Sequence, residues 1–220
     1  MKINLNLFLK EVILFGTALA IGIFSAYQNI ASSVPIMIPE IKFGWGDVIF
    51  LAALVLFFVF FSRYQRVARF SFKLFLALIV FSGTSTIMNV VLGSPWDIWA
   101  ALLIIATFLF IKNVLIHNVG IILAVAGVGS LLGLAISPGT AVIIMVILSF
   151  YDIIAVYVTG HMVKMAKTMM ESGAIFGFII PSQMSGFLSH KGEAQAKVGV
   201  GDQFMILGSG DIGLPVVLAS

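Results

Sequence analysis

Long apolar runs separated by short polar stretches dominate this chain. A helix needs about 20 mostly apolar residues to cross a hydrocarbon core about 30 Å thick, and by that measure the pattern predicts seven spanning helices. They cover residues 12–30, 47–62, 72–92, 96–112, 117–136, 140–160 and 203–220. The pattern therefore predicts an all-α fold, a polytopic membrane helix bundle with seven transmembrane helices in one integral-membrane domain, residues 1–220.

The linkers between the runs are short and rich in Pro and Gly, with one exception. Residues 1–160 hold the first six predicted spans, a long loop covers 161–202, and 203–220 form the seventh span. The apolar stretch 174–180 inside that loop is too short to span. We expect it to lie at the membrane interface; the alternatives are that it covers the mouth of a site or is loosely ordered. Gly129 and Gly133 form a G-x-x-x-G pattern that predicts ordinary close helix packing. Asn89 and Ser149 are predicted to form interhelical hydrogen bonds.

Composition excludes a soluble protein and several kinds of site. The chain is 61% hydrophobic and 10% charged, against about 45–50% and 25% in soluble domains. It has no cysteine, which excludes disulfides and Cys-ligated metals or clusters. The net charge of +3 is too small and too scattered for a nucleic-acid partner. We predict no cofactor and no metal.

The basic residues predict the orientation in the cell membrane. Lys42 faces one side, and the other eleven of the twelve Lys and Arg fall at the N-terminus or in loops of the opposite side. The positive-inside rule then makes the N-terminus and the 161–202 loop cytoplasmic. The first run lacks a small-x-small cleavage site, so we interpret it as a retained span rather than a signal peptide.

Two acidic residues, Asp152 and Asp211, interrupt the last two apolar runs. A charge within the membrane costs several kcal/mol or is neutralised by a proton, so such residues are candidates for function. Asp152 precedes His161 by nine residues and Asp211 follows Gln203 by eight. At about 1.5 Å per residue, two helical spans would place both carboxyls roughly 12–13 Å from the cytoplasmic ends. We therefore predict that the two carboxyls lie at one depth.

The residues around Asp211 favour a site. Gly208 and Gly210 remove side chains and allow close approach of a backbone or substrate. Pro215 has no N–H, so the Asp211 carbonyl loses its helical partner, which water or substrate could replace. Two carboxyls around one water can hydrolyse a peptide bond, because one takes a proton from water while the other polarises the carbonyl. Which aspartate has which role stays open.

A second G-x-G-D string ends at Asp202. That residue lies at the polar start of the predicted seventh span, where an acidic residue is a common helix N-cap. It would also lie on the face opposite Asp211 if one helix contained both. We therefore favour Asp211.

Tyr151-Asp152 in the sixth run and Leu207-Gly208-Ser209-Gly210-Asp211 followed by Pro215 in the seventh resemble the Y-D and G-x-G-D motifs of intramembrane aspartyl proteases of the presenilin and signal peptide peptidase family. The Asp-x-x-x-Pro continuation is closest to signal peptide peptidases and archaeal presenilin-like homologues. The resemblance implies an aspartic endopeptidase with Asp152 and Asp211 as the catalytic pair. It also implies that the following residues support the active site or bind substrate: Tyr151, Gly208, Gly210, Leu214 and Pro215.

The family has nine spans and a Pro-Ala-Leu motif in the ninth, whereas these residues contain seven predicted spans and no Pro-Ala-Leu. We therefore expect two further spans with that motif. Signal peptide peptidases resemble presenilins turned upside down, and the basic residues here match the presenilin orientation. The implied partners are the lipid bilayer and transmembrane-helix substrates with their N-terminus outside; a homo-oligomer stays open.

The family resemblance also suggests that segments flanking the long loop pair with an unwound substrate as strands. Lys197-Val198-Gly199-Val200 has a suitable composition, although a plain linker is the preferred interpretation.

Other functions fit the sequence less well. An ion- or proton-coupled transporter could use the two aspartates as a proton relay, but it does not explain the paired motifs, and a membrane scaffold explains neither. No His-Glu-x-x-His sequence is present for a metalloprotease. His117, His161 and His190 fall in or beside loops, and we interpret them as interfacial residues without a chemical task.

Overall fold

Apolar helices form most of the part of the chain that the computed structural model describes, which is residues 5–31, 49, 53, 65–153, 157, 169–196 and 204–220. In chain order the helices are α1 (Leu5–Ala31), α2 (Gln65–Leu92), α3 (Trp96–Phe110), α4 (Val114–Ala135), α5 (Pro138–Ile153), α6 (Lys191–Ala196) and α7 (Ser209–Ala219). The strands are β1 (Gly177–Pro181) and β2 (Phe204–Gly208), and a 3₁₀ turn covers Met184–Leu188. The predicted helical membrane bundle is confirmed.

Three of these helices are long and apolar enough to cross a membrane. Within the described residues they are Leu5–Ala31, Arg69–Leu92 and Val114–Ala135, with 27, 24 and 22 residues. Trp96–Phe110, Pro138–Ile153 and Ser209–Ala219 are shorter apolar helices. The first predicted run begins earlier than expected, at Leu5 rather than residue 12. Apart from Ile49 and Ala53, the predicted run 47–62 lies outside the described residues.

Helix α4 is the centre of the bundle and packs against α1, α2 and α7. Small residues let the backbones approach: a Cβ at Gly83 of α2 would lie 2.5 Å from the carbonyl oxygen of Ala124. The predicted close approach at Gly129 and Gly133 is confirmed. A Cβ at Gly133 would lie 2.6 Å from the carbonyl oxygen of Val217, so this G-x-x-x-G face receives α7.

Two predicted polar positions differ in outcome. The Asn89 side-chain amide donates to the Asp97 carboxylate at 3.2 Å, which joins α2 to α3. This interhelical hydrogen bond is the one expected for Asn89. Ser149 instead has an exposed side chain on α5.

The prediction of a helix over 203–220 is wrong for its first part. Residues Phe204–Gly208 form β2, and the helix begins only at Ser209. β2 pairs antiparallel with β1 in the register Gly177 to Gly208 and Ile179 to Ile206. Phe-Met-Ile-Leu is an unbroken apolar run, which fits a strand buried on both faces as well as a helix, and its pairing partner decides between them.

The interfacial placement expected for residues 174–180 is also wrong. All five residues of β1 are buried, and Phe178 and Ile180 belong to the same hydrophobic core as Ile212 and Val216 of α7. The strand can enter the helical core because its backbone polar groups find hydrogen-bond partners there.

Candidate active site

Asp211 lies in the first turn of α7, directly after β2. Gly208 is both the last residue of β2 and the N-cap of α7. The Asp211 side chain folds back toward it, since a Cβ at Gly208 would lie 3.4 Å from Asp211 Oδ2. Asp211 is exposed, near the partial positive charge of a helix N-terminus.

The two motif glycines have different surroundings. Gly208 is opposite Gly177 in the sheet, and a Cβ at Gly177 would collide with the carbonyl of Leu207. Close backbone approach therefore occurs at the strand pair. A Cβ at Gly210 would meet nothing within 4 Å in the described part of the chain, so Gly210 leaves open space beside Asp211.

Pro215 lies inside α7, as the sequence predicts. Because a proline has no N–H, the helix cannot provide a donor to the carbonyl of Asp211, four residues earlier. The exposed carboxyl and the carbonyl that lacks this helical donor therefore belong to the same residue. Leu214 precedes Pro215 and lines an apolar cavity.

Tyr151 and Asp152 are among the last described residues of α5 (Pro138–Ile153), and both are exposed. Helix α5 packs against α7, so the two aspartates are carried by neighbouring helices. The prediction of equal depth assumed a helix before Asp211, whereas Phe204–Gly208 form a strand that rises by about 3.4 Å per residue. His161 and Gln203, from which the two depths were counted, lie outside the described residues, as does Asp202.

An apolar cavity of about 240 Å³ adjoins the start of α7. It lies between α2, α4 and α7, and Ser209, Gly210 and Leu214 form its edge beside Asp211. Its other walls are aliphatic or aromatic, among them Ile79, Val128 and Phe176. A cavity of this lining can receive one apolar side chain beside Gly210, the residue that precedes Asp211.

Side chains of α1 and α4 occupy one edge of β1. Asn118 Nδ2 donates to the Ile179 carbonyl at 2.8 Å, and the Ile179 N–H donates to Asn118 Oδ1 at 2.9 Å. His117 Nε2 lies 3.0 Å from the Gly177 carbonyl, and Lys10 Nζ donates to the Pro181 carbonyl at 2.8 Å. This edge of β1 is therefore closed to any further strand.

The opposite edge of the sheet, on β2, has no such cover among the described residues. In an antiparallel ladder the bonding direction alternates from residue to residue. The backbone N–H and C=O of Ile179 bond to Asn118 and so point away from β2. The backbone groups of its partner Ile206 therefore point away from β1, and so do those of Phe204, two residues earlier. The sheet in the described chain has two strands, so the backbone groups of Phe204 and Ile206 form an edge open to a third strand.

Sequence reasoning missed the three residues that hold β1. His117 was expected to be an interfacial residue without a task, but it is buried with 2% of its surface exposed. Lys10 and Asn118 are also buried. The one sequence signal for Lys10 and Asn118 is that a lysine and an amide lie at the ends of apolar runs, where each needs a hydrogen-bond partner. His190 is exposed and His161 lies outside the described residues.

The described residues contain no group of three His, Cys, Asp or Glu side chains that could hold a metal ion. The predicted strand candidate Lys197-Val198-Gly199-Val200 lies outside the described residues. The strands adjacent to the loop are instead β1 and β2, one on each side of it.

Comparison with known proteins gives one family and one fold. The family model described as "Signal-peptide peptidase, presenilin aspartyl protease" matches residues 47–220. The chain is similar to a solved presenilin family intramembrane aspartate protease, with a TM-score of 0.55 and 20% identity over 96% of this chain and 74% of the other. No curated protein matches the chain. Since the family model covers most of the sequence, including both aspartates, the chain belongs to the signal-peptide peptidase and presenilin family of aspartyl proteases.

Proposed function

We propose that this chain is an intramembrane aspartyl endopeptidase in which Asp152 and Asp211 act on one shared water. The observation that carries the proposal is that α5 and α7, which bear these two residues, pack against each other. Both residues are exposed in the described part of the chain, where a water and a substrate can reach them.

The chemistry needs one ionised and one protonated carboxyl. The ionised group takes a proton from water as the water oxygen attacks the substrate carbonyl carbon, and the protonated group donates a hydrogen bond to the carbonyl oxygen. Collapse of the tetrahedral intermediate then breaks the C–N bond, and the amine leaves with a proton.

The open edge of β2 supports binding of the substrate as an added strand. A helical substrate has its backbone hydrogen-bonded internally, so a peptide bond inside it is poorly accessible until the helix unwinds. Within the membrane, the freed N–H and C=O groups cost several kcal/mol each unless they find partners. An extended segment added beside Phe204 and Ile206 would find them, and strand addition to an open edge is a common way of binding peptides.

The cavity beside Gly210 supports a preference for apolar side chains. Its lining is almost entirely aliphatic and aromatic, so a polar side chain there would lose its hydration without gaining a hydrogen bond. We expect an apolar residue of the substrate next to the cleaved bond. Tyr151 and Pro215 are proposed to support the active site.

The transporter alternative gains nothing from the comparisons, because both the family and the solved relative are proteases. The proposed orientation has the N-terminus in the cytoplasm, from the distribution of the basic residues. It predicts cleavage of single-span substrates whose N-terminus is outside. Faster cleavage of the same span in the reverse orientation would contradict it.

The test is cleavage of a fluorogenic transmembrane substrate by the complete protein in liposomes. Asp152→Asn and Asp211→Asn are each expected to abolish cleavage, with unchanged thermal unfolding, because a single carboxyl cannot supply both base and acid. Asp202→Asn is the matched control, since it ends the second G-x-G-D string, and it is expected to retain activity. Undiminished cleavage by either of the first two variants would refute the dyad.

A further inference from the structure

A second cavity, of about 360 Å³, lies at the end of the bundle where α3 ends and α6 begins. It is lined by Lys73, Lys112 and Lys191 together with His190, and by the apolar side chains of Leu76, Phe108 and Ile111. No carboxylate is among its lining residues. The three lysines come from α2, from the α3–α4 link and from α6, so the fold brings together cations that are far apart in sequence.

Hydrogen bonds fix the polar wall of this cavity. The Lys191 N–H donates to the Lys112 carbonyl at 2.8 Å, and Asn113 Nδ2 donates to the Leu188 carbonyl at 3.3 Å. Lys191 Nζ lies 5.6 Å from the centre of the Phe108 ring, a cation–π arrangement. In the described part of the chain its charge therefore faces an aromatic ring and has no carboxylate partner.

The environment of Lys191 is unfavourable for its charge. Burial, and secondly the positive charge of Lys73, lower the pKa of Lys191 from 10.5 to about 8. A bound anion between the ammonium groups of Lys73 and Lys191 would offset the effect of the Lys73 charge on this pKa.

A buried atom without a hydrogen-bond partner belongs to His117, one of the residues that line the cavity. His117 is 2% exposed, and its Nδ1 has no hydrogen-bond partner among the described residues. Its Nε2 must carry the proton, because it lies 3.0 Å from the Gly177 carbonyl and a carbonyl only accepts. In the neutral ring, Nδ1 is then an acceptor that lacks a donor. A ligand hydroxyl would satisfy it.

The surroundings match a lipid rather than a free ion. Leu109 and Ile111 beside the lysines are 51% and 50% exposed, and Phe110 is 85% exposed. Lys112 lies just beyond the end of α3, an apolar helix of 15 residues, and a basic side chain at the end of an apolar helix can extend to the phosphate groups of the lipid.

We propose that this cavity binds an anionic phospholipid with a hydroxyl-bearing headgroup, of the phosphatidylglycerol type. The phosphate lies among Lys73, Lys112 and Lys191, a headgroup hydroxyl donates to His117 Nδ1, and an acyl chain covers the exposed apolar end of α3. A phosphate ion alone could satisfy the lysines but would leave that apolar surface uncovered. The site is separate from the two aspartates and does not depend on the proposed proteolysis.

Native mass spectrometry of the complete protein in neutral detergent tests the binding. Phosphatidylglycerol is expected to bind at least about tenfold more tightly than phosphatidylcholine. Lys73→Gln and Lys112→Gln are each expected to weaken it roughly fivefold, the usual effect of one basic residue on an anionic lipid. Arg69→Gln is the matched control, because it removes the same charge one helical turn from Lys73 outside the cavity lining, and it is expected to change binding less than about twofold.

Two further ligands separate the parts of the proposal. Phosphatidylmethanol has the same charge but no hydroxyl, and it is expected to bind about threefold more weakly than phosphatidylglycerol, the effect of one hydrogen bond. Inorganic phosphate at millimolar concentration is expected to leave lipid binding unchanged. Equal losses in Arg69→Gln and Lys73→Gln would overturn the site, as would full displacement of lipid by phosphate. Equal binding of the two lipids would overturn the role of His117.

Discussion

The hydrogen-bond pair between Asn118 and Ile179 gives the sharpest prediction for the fold around the candidate site. Asn118→Ala removes a donor and an acceptor that lie 2.8 and 2.9 Å from the Ile179 backbone. Both residues are buried, with 1% and 0% exposure. The carbonyl and N–H of Ile179 then remain buried without partners, and each such group costs about 1–3 kcal/mol.

The two groups together predict a loss of roughly 2–6 kcal/mol in the free energy of unfolding. The loss should also be local, because β1 would open more easily than the helices that surround it. Hydrogen–deuterium exchange of residues 177–181 is therefore expected to accelerate by at least about 30-fold, the factor that corresponds to roughly 2 kcal/mol. Proteolytic activity is expected to fall with it, since β1 holds β2 and β2 leads directly into α7.

Asn113→Ala is the matched control, because it deletes the same amide on the same helix. Asn113 accepts from the Leu115 N–H at 2.9 Å as the N-cap of α4, so its loss is expected to cost about 1 kcal/mol. It should leave exchange in β1 within about threefold of the parent. If Asn118→Ala gave the same small effect on 177–181, the side chain would not be holding the strand and the reasoning would be refuted.

Three other predictions test separate contacts. Gly133→Ala is expected to lower the free energy of unfolding by about 1–3 kcal/mol by pushing α7 from α4, whereas Gly139→Ala, whose Cβ meets nothing within 4 Å, should not. Lys10→Met leaves the carbonyls at the end of β1 without a donor and is expected to lower the unfolding free energy by about 1–3 kcal/mol, measured by denaturant titration. Amine-reactive labelling of Lys191 is expected to have its midpoint near the pKa of about 8. Since this value lies below the 10.5 of the unfolded chain, Lys191 should make the protein more stable as pH rises from about 8 to 10.5.

Most of the helices could be predicted from hydropathy alone, because an apolar run of sufficient length has few other solutions in a membrane. The predicted runs 72–92 and 117–136 correspond closely to α2 and α4. The G-x-x-x-G face was also predictable as a packing surface. Its partner was not, since nothing local in residues 129–133 indicates that they contact the helix carrying Asp211.

The two strands could not be predicted as strands, because their formation depends on residues far away. β1 and β2 are separated by the loop, and each is too short to be assigned from its own composition. Burial of β1 further requires Lys10, His117 and Asn118, which lie about 60 to 170 positions earlier in the chain. A backbone segment enters this core only where such partners exist, and one sequence does not show which distant side chains supply them.

The junction at Gly208 connects the two parts of the proposed mechanism. Gly208 ends β2 and caps α7, so only Ser209 and Gly210 lie between the strand and Asp211. A substrate segment paired with β2 would therefore be held in a fixed register relative to the carboxyl. A seventh span that was helical throughout would satisfy its own backbone and offer none of these hydrogen bonds to the substrate. We therefore infer that the strand before Asp211, which the hydropathy pattern conceals, is what allows an unwound peptide bond to be presented to it.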